Sequence, residues 1–121
     1  MNDAHKPASA AEEYLTPEGC WISEVANDAD DPDASIARAR VEPGVATEWH
    51  QLSGTIERYL ITQGHGRVEL GGSEPFEVAV GDVVRIPADV SQRITNVGSD
   101  DLIFYCICTP RFQFANYRAL A

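Results

Sequence analysis

The sequence predicts a single all-β domain, built as an antiparallel sandwich or barrel. Its 121 residues suit one domain with one hydrophobic core. Along most of the chain, short runs of β-favouring residues are separated by Gly, Pro, Asp, Asn or Ser. Runs at such close spacing, with no helical stretch between them, are typical of antiparallel sheets.

The N-terminal part of the chain predicts an arm followed by two strands. Residues 1–16 are small, polar and charged, so we expect a mobile arm there. GCWISEVAN (19–27) predicts the first strand, and DADDPDA predicts a loop. In SIARARV (35–41), Arg38 and Arg40 fall on one face of an alternating pattern, which predicts the second strand.

The rest of the chain predicts the remaining strands and a short tail. The strand-like runs are TEWHQL, TIERYLIT, GRVEL, FEVAV, DVVRIP, SQRITNV and DLIFYCICT. The barrel is therefore expected over residues 17–112. The tail, residues 113–121, contains ANYRALA, the one stretch that could form a helix.

The amino-acid composition limits the binding partners and the cellular compartment that we expect for this protein. Nineteen acidic against nine basic residues give a net charge of −10, which repels phosphate backbones and anionic lipid. We therefore expect no nucleic-acid or membrane partner, and no run approaches the roughly 20 apolar residues of a membrane span. The N-terminus lacks the apolar segment of a secretory signal. Three cysteines, an odd number in no zinc-finger spacing, predict reduced thiols and a cytoplasmic location.

One segment spaces a glycine, a histidine and a glutamate in a regular way. In GVATEWHQLSGTIERYLITQG, five residues separate Gly44 from His50. Glu57 follows after the turn, and six further residues lead to Gly64. This order fits the pattern G-x5-H-x-H-x3–4-E-x6-G, except that Leu52 occupies the second histidine position.

A second segment, GDVVRIPADVSQRITN, fits the pattern G-x5-P-x-G-x2-H-x3-N at Gly81, Pro87 and Asn96. Asp89 replaces its second glycine and Gln92 its histidine. The two segments together resemble the two motifs of the cupin family, over about residues 35 to 110. The resemblance implies a double-stranded β-helix, or jelly-roll, barrel that commonly pairs as a homodimer.

The resemblance also implies a metal site, because cupins with the full motifs hold a divalent ion with three histidines and one glutamate. Here His50, Glu57 and Gln92 would hold zinc, manganese or iron, all of which accept nitrogen and oxygen ligands. Without a metal, the same three residues would form a buried polar cluster. Glu57 beside His50 across a hairpin would then suit acid–base chemistry.

Four other residues are candidates for the substrate site. Tyr59 shares a strand face with Glu57, so it would line the pocket and take part in catalysis, or simply fill the core. Leu52, on the face of His50, would contact the substrate. Arg38 and Arg40 would suit an anionic substrate if their face is the pocket, and solvent if it is not.

Three functions are open at this stage. The first is a metal-dependent isomerase, lyase, cyclase or dioxygenase that acts on a small oxygen-rich substrate, with Glu57 and Tyr59 as catalytic residues. The second is a metal-free module that binds or senses a small molecule. The third is a structural dimer with a degenerate site. Cys106 and Cys108 share a face with Leu102, which favours a packed core strand, although Cys108 could serve as a fourth metal ligand.

Overall fold

The computed structural model describes residues 4–120 and contains eleven strands in that range. Two 3₁₀ turns, at Ala8–Ala10 and Phe114–Asn116, are the only helical segments among the described residues. None of the helices between residues 4 and 120 has the length and apolarity to span a membrane. The strands are β1 (Glu13–Leu15), β2 (Trp21–Ala26), β3 (Ser35–Val41), β4 (His50–Leu52), β5 (Ile56–Gln63), β6 (Gly66–Leu70), β7 (Phe76–Val78), β8 (Val83–Ile86), β9 (Gln92–Asn96), β10 (Leu102–Thr109) and β11 (Tyr117–Ala119).

The strands form two antiparallel sheets that enclose the core. One sheet has the order β1-β2-β3-β10-β5-β8, and the other has the order β11-β4-β9-β6-β7. Consecutive strands repeatedly change sheet, as β4 and β5 do, and this is the winding of a jelly-roll barrel. The predicted all-β, single-domain fold is confirmed.

Alternation along the central strands sets the two faces of the barrel wall. In β10 the residues Leu102, Phe104, Cys106 and Cys108 point inward and are buried, while those between them are half-buried. The inward residues change in character along the strand, from aliphatic at Leu102 to a thiol at Cys108. The hydrophobic core therefore fills one end of the barrel, and the other end contains polar groups.

β5 shows the same gradient beside β10. Ile61 pairs with Phe104 at the apolar end, whereas Glu57 pairs with Cys108 at the opposite end. Ile61 is almost fully buried in the hydrophobic cluster, and Tyr59 marks the boundary between the two regions. This register places the Glu57 carboxyl at the polar end of the barrel interior.

Both chain ends add a strand where the sequence predicted an arm and a tail. β1 pairs with the edge of β2, so residues 13–15 of the predicted mobile arm are ordered against the barrel. Residues 115–120 of ANYRALA, the one stretch that could have formed a helix, form no α-helix. One 3₁₀ turn leads instead into β11, which pairs with the exposed edge of β4 and satisfies its free backbone groups. Residues 1–3 and 121 of the predicted arm and tail lie outside the described residues.

Candidate functional site

A cavity of about 130 Å³ opens at the polar end of the barrel. That volume holds several water molecules or one small organic molecule. Its polar lining comes from both sheets and from the segment that precedes β2, and it includes Glu57, Tyr59, Cys108, His50, Tyr117 and Glu18.

Glu57 is the most unusual of these groups. It is 8% exposed, and its Oε1 atom is buried without any hydrogen-bond partner among the described residues. The Cys108 thiol donates a weak hydrogen bond to Oε2, with a sulfur-to-oxygen distance of 3.9 Å. Buried polar atoms almost always have a hydrogen-bond partner. The Oε1 atom in the cavity wall is therefore an acceptor that the donor group of a bound ligand would satisfy.

Burial raises the pKa of Glu57 to about 7, because the cavity wall solvates the ionised carboxylate poorly. The electrostatic interaction of Glu57 with His50 opposes this rise in pKa, whereas its interaction with the neighbouring Glu18 carboxyl adds to it. A carboxyl that titrates near neutral pH is present in both its protonated and its ionised form. It can therefore accept and release protons under physiological conditions.

His50 faces the same cavity from the other sheet. Its Nδ1 lies 2.8 Å from the backbone oxygen of Glu48. A carbonyl only accepts hydrogen bonds, so Nδ1 carries a proton, and Nε2 is the atom left for the cavity. The sequence placed His50 and Glu57 across a hairpin. They lie instead in facing sheets, because the turn between β4 and β5 carries the chain from one sheet to the other.

Glu18 is a site residue that the sequence analysis missed. Its Oε2 lies 3.6 Å from Nε2 of His50, and its side chain is 18% exposed. Glu18 sits in the tight turn that precedes β2, and its backbone oxygen accepts a hydrogen bond from the amide of Glu48 at 2.9 Å. Burial raises its pKa, and the charge of His50 acts in the opposite direction. This backbone contact with Glu48, 30 residues away in the sequence, helps to hold Glu18 at the cavity, and no local pattern indicates it.

Gln92 and Tyr59 link the two sheets behind the cavity. His50 and Gln92 are paired neighbours on β4 and β9. The Tyr59 hydroxyl, from β5, donates a hydrogen bond to Oε1 of Gln92, and both side chains are buried. The Gln92 oxygen therefore already accepts one hydrogen bond, from Tyr59. Tyr59 lines the cavity with its ring.

The donor set does not fit a divalent metal ion. The buried side chain of Leu52, in the second histidine position, offers no donor, and the Gln92 oxygen already accepts a hydrogen bond from Tyr59 with one of its two lone pairs. In residues 4–120 no three His, Cys, Asp or Glu side chains are grouped as metal ligands, whereas protein metal sites ordinarily supply at least three. Burial also raises the pKa of the cavity thiol of Cys108, which keeps it protonated and a poor ligand at neutral pH.

The other predicted substrate contacts lie outside the cavity. Arg38 and Arg40 point to the outer face of the six-stranded sheet, where both pair with Glu13 at 3.5 and 2.7 Å. Arg40 also pairs with Asp101 at 3.2 Å. Leu52 is buried in the wall next to β11 and does not line the cavity. Among the predicted site residues, the structure brings His50, Glu57 and Tyr59 to the cavity, with Gln92 directly behind them.

Aromatic rings contributed by the C-terminal segment complete one side of the cavity. Tyr117 stacks on His50 with ring centroids 5.0 Å apart. Phe114 stacks on Tyr117 at 5.6 Å and is itself 68% exposed. The Tyr117 hydroxyl donates to the Glu48 carboxylate at 2.6 Å, which holds the ring against the imidazole. The sequence of the tail indicated no more than a possible helix, so this wall was not predicted.

Solved structures share this architecture at low sequence identity. The nucleoside dehydratase Pac13 from Streptomyces is 17% identical, with a TM-score of 0.82 over 98% of this chain and 92% of that chain. KdgF from Halomonas sp. is 18% identical, with a TM-score of 0.80 over 94% of this chain and 99% of that chain. Oxalate decarboxylase from Lactobacillus farciminis is 22% identical, with a TM-score of 0.79 over 93% of this chain and 34% of that longer chain. At these identities the likeness shows the fold alone.

No curated protein sequence is significantly similar to this chain. A family model is more informative, since the one described as "Cupin domain" matches residues 37–108, which is more than half of the chain. The match includes both motifs and runs from β3 to the end of β10. The chain therefore belongs to the cupin family.

Proposed function

We propose that this cupin catalyses proton transfer without a metal, as a lyase or isomerase that acts on a small hydroxylated molecule inside the barrel. The observation that carries this proposal is the buried, unpartnered Oε1 of Glu57 in the cavity wall. A carboxylate in such a place is a stronger base than one in water, and burial raises its pKa toward working pH.

The groups around Glu57 supply the second half of the reaction. In an elimination, the Glu57 carboxylate would remove a proton from a carbon next to a carbonyl, and the electrons of that C–H bond would form a C=C bond. The neighbouring C–O bond would break, and a protonated Glu18 would donate its proton to the departing hydroxyl, which leaves as water. In an isomerisation of a hydroxycarbonyl, a protonated Glu18 would protonate the carbonyl oxygen, and the proton on Glu57 would return to the former carbonyl carbon. The hydroxyl on the neighbouring carbon would then give its proton back to Glu18 and become the new carbonyl.

His50 and Tyr59 would position the reacting groups. Nε2 of His50 lies 3.6 Å from Oε2 of Glu18, so the imidazole would orient that carboxyl toward the departing group. Tyr59 uses its hydroxyl on Gln92 and presents its ring to the cavity, which suits a positioning residue. The dehydratase Pac13 is one similar structure whose reaction, loss of water, belongs to the same chemical class, and this supports an acid–base reading of the barrel.

The test is isotope exchange with a matched pair of variants. Chelator-treated protein is incubated in D₂O with a panel of small hydroxyaldehydes, hydroxyketones and their amino analogues, and deuterium incorporation or loss of water is followed by NMR. We expect Glu57→Gln to reduce the rate roughly 10²- to 10⁴-fold, because the amide cannot accept the proton. Glu74→Gln, an exposed loop carboxylate, is the control and should retain the full rate.

A requirement for a metal ion would contradict the proposal. If chelation abolished the exchange and zinc, manganese or iron restored it, the proposal would be wrong. A panel member that binds in the cavity but is neither exchanged nor converted would instead favour the metal-free binding module. The predicted homodimer and cytoplasmic location stay predictions, and light scattering would check the dimer.

A further inference from the structure

The charged groups that line the cavity are all acidic apart from His50. Glu18, Glu24 and Glu57 face it, and none of the described lining residues is Lys or Arg. The arginines of β3, Arg38 and Arg40, are held on the outer face by Glu13. A low-dielectric cavity with such a lining attracts cations and repels carboxylates and phosphates.

The Glu57 carboxylate also requires a particular kind of partner. Its Oε1 is buried without a hydrogen-bond partner among the described residues, and its Oε2 accepts a weak hydrogen bond from the Cys108 thiol at 3.9 Å. The side chains of Gln92 and Cys106 lie close enough to the carboxyl to oppose the rise in its pKa. A ligand group that satisfies Oε1 must donate a hydrogen bond. An ammonium N–H does so and neutralises the charge at the same time, which makes the hydrogen bond about twice as strong as a neutral one.

The apolar part of the lining suits the same ligand. Six aromatic rings line the cavity, namely Tyr14, Tyr59, Phe104, Phe112, Phe114 and Tyr117. Ring faces attract cations and repel anions, and the attraction grows when water is excluded. Glu18 and Glu57 both line the cavity together with these rings, so a cation bound there would meet carboxylates as well as aromatic rings.

We propose that the cavity binds a small organic cation, specifically a molecule with a primary ammonium group that donates a hydrogen bond to Oε1 of Glu57. The inference rests on the proposed function in one respect, since it takes the same cavity as the substrate site. It narrows the substrate to an amine, leaves Oε2 of Glu57 as the oxygen that accepts the substrate proton, and excludes the anionic substrate that Arg38 and Arg40 suggested.

The test compares three ligands of nearly equal size and different charge. Binding of butylammonium, 1-butanol and butyrate is measured by titration calorimetry at physiological ionic strength, with the full chain. We expect butylammonium to bind at least about tenfold more tightly than 1-butanol, since hydrogen bonds to charged groups are stronger than those between neutral groups. Butyrate should show no binding. Trimethylbutylammonium, which lacks N–H donors, should bind more weakly than butylammonium.

Variants locate the cation. Glu57→Gln should lower butylammonium affinity about tenfold or more and leave 1-butanol affinity unchanged, while Glu74→Gln should change neither. Equal affinity for the three ligands, preference for butyrate, or no effect of Glu57→Gln would overturn the inference. Deuterium exchange that depends on Glu57 but shows no preference for amines would overturn it while leaving the proposed function intact. Binding of butylammonium without any Glu57-dependent exchange would support it and count against the proposed function.

Discussion

Replacing Glu57 with glutamine is expected to stabilise the protein relative to wild type. The gain in unfolding free energy should be about 3 kcal/mol larger at pH 8 than at pH 4.5. Burial raises the pKa of Glu57 from an ordinary value of 4.5 to about 7 in the folded protein. The folded state therefore binds this proton more tightly than the unfolded state does. As pH rises from about 4.5 to about 7, the protein loses stability at about 1.4 kcal/mol per pH unit. Above about pH 7 the loss is complete and does not grow further.

Glutamine has nearly the same shape and no charge, so it removes this loss. The difference in unfolding free energy between Glu57→Gln and wild type is measured by urea denaturation at both pH values, which cancels any constant cost of the amide. Glu74→Gln supplies the exposed comparison. A difference that does not change with pH would show that the Glu57 carboxyl is as well solvated in the folded protein as in the unfolded chain.

Gly64→Ala is expected to destabilise the protein by about 3 kcal/mol. Gly64 has a φ of +88°, in the left-handed region that costs other residues roughly 1–2 kcal/mol. A Cβ atom at this position would also lie 3.0 Å from the backbone oxygen of Asp101 and 3.1 Å from Cα of Leu102. Backbone atoms cannot move away as a side chain can, so crowding adds to the conformational cost.

Gly81→Ala separates the two contributions. Gly81 has a similar φ of +93°, but no atom lies within 4 Å of the Cβ position. We expect it to cost only about 1–2 kcal/mol, from backbone conformation alone. Denaturant titration of both variants measures the difference, and equal losses would contradict the close backbone approach at Gly64.

Most of the fold could be predicted from the sequence because its strands carry local signals. The run SIARARV coincides with β3 at both ends, and the alternation in DLIFYCICT matches the inward and outward residues of β10. The motif glycines at 44, 64 and 81 all have positive φ, as turn glycines do. Asp89 takes a φ of 66° where the motif has glycine, and its amide donates to the Leu52 carbonyl at 3.0 Å.

The two terminal strands were not predicted, because what makes them strands lies elsewhere in the chain. EYL at β1 is short and follows a polar segment, and it becomes a strand because β2 offers an edge and Arg40 binds the Glu13 carboxylate. NYRAL lacks strict alternation, and β11 forms against the open edge of β4. Local propensity is a weak guide wherever an unpaired edge is available.

Only part of the candidate site could be predicted from the sequence. His50 and Glu57 could be identified because their spacing is a family pattern, and the structure places both at one cavity. Glu18 and Tyr117 reach that cavity through pairings with Glu48 and Leu52, which no spacing within the sequence specifies. The metal expected from the family pattern lacks part of its ligand set, because Leu52 has no donor atom and no three His, Cys, Asp or Glu side chains in residues 4–120 are grouped as ligands.

The ionisation of Glu57 itself tests the account most directly. The side-chain carboxyl ¹³C resonances of ¹³C-labelled, chelator-treated protein are followed from pH 4 to pH 9, and the resonance missing from Glu57→Gln assigns the signal. The account predicts a midpoint near 7 for Glu57. A midpoint near 4.5 would contradict it, because a carboxyl that is fully ionised at neutral pH is neither desolvated nor suited to exchange protons with a substrate.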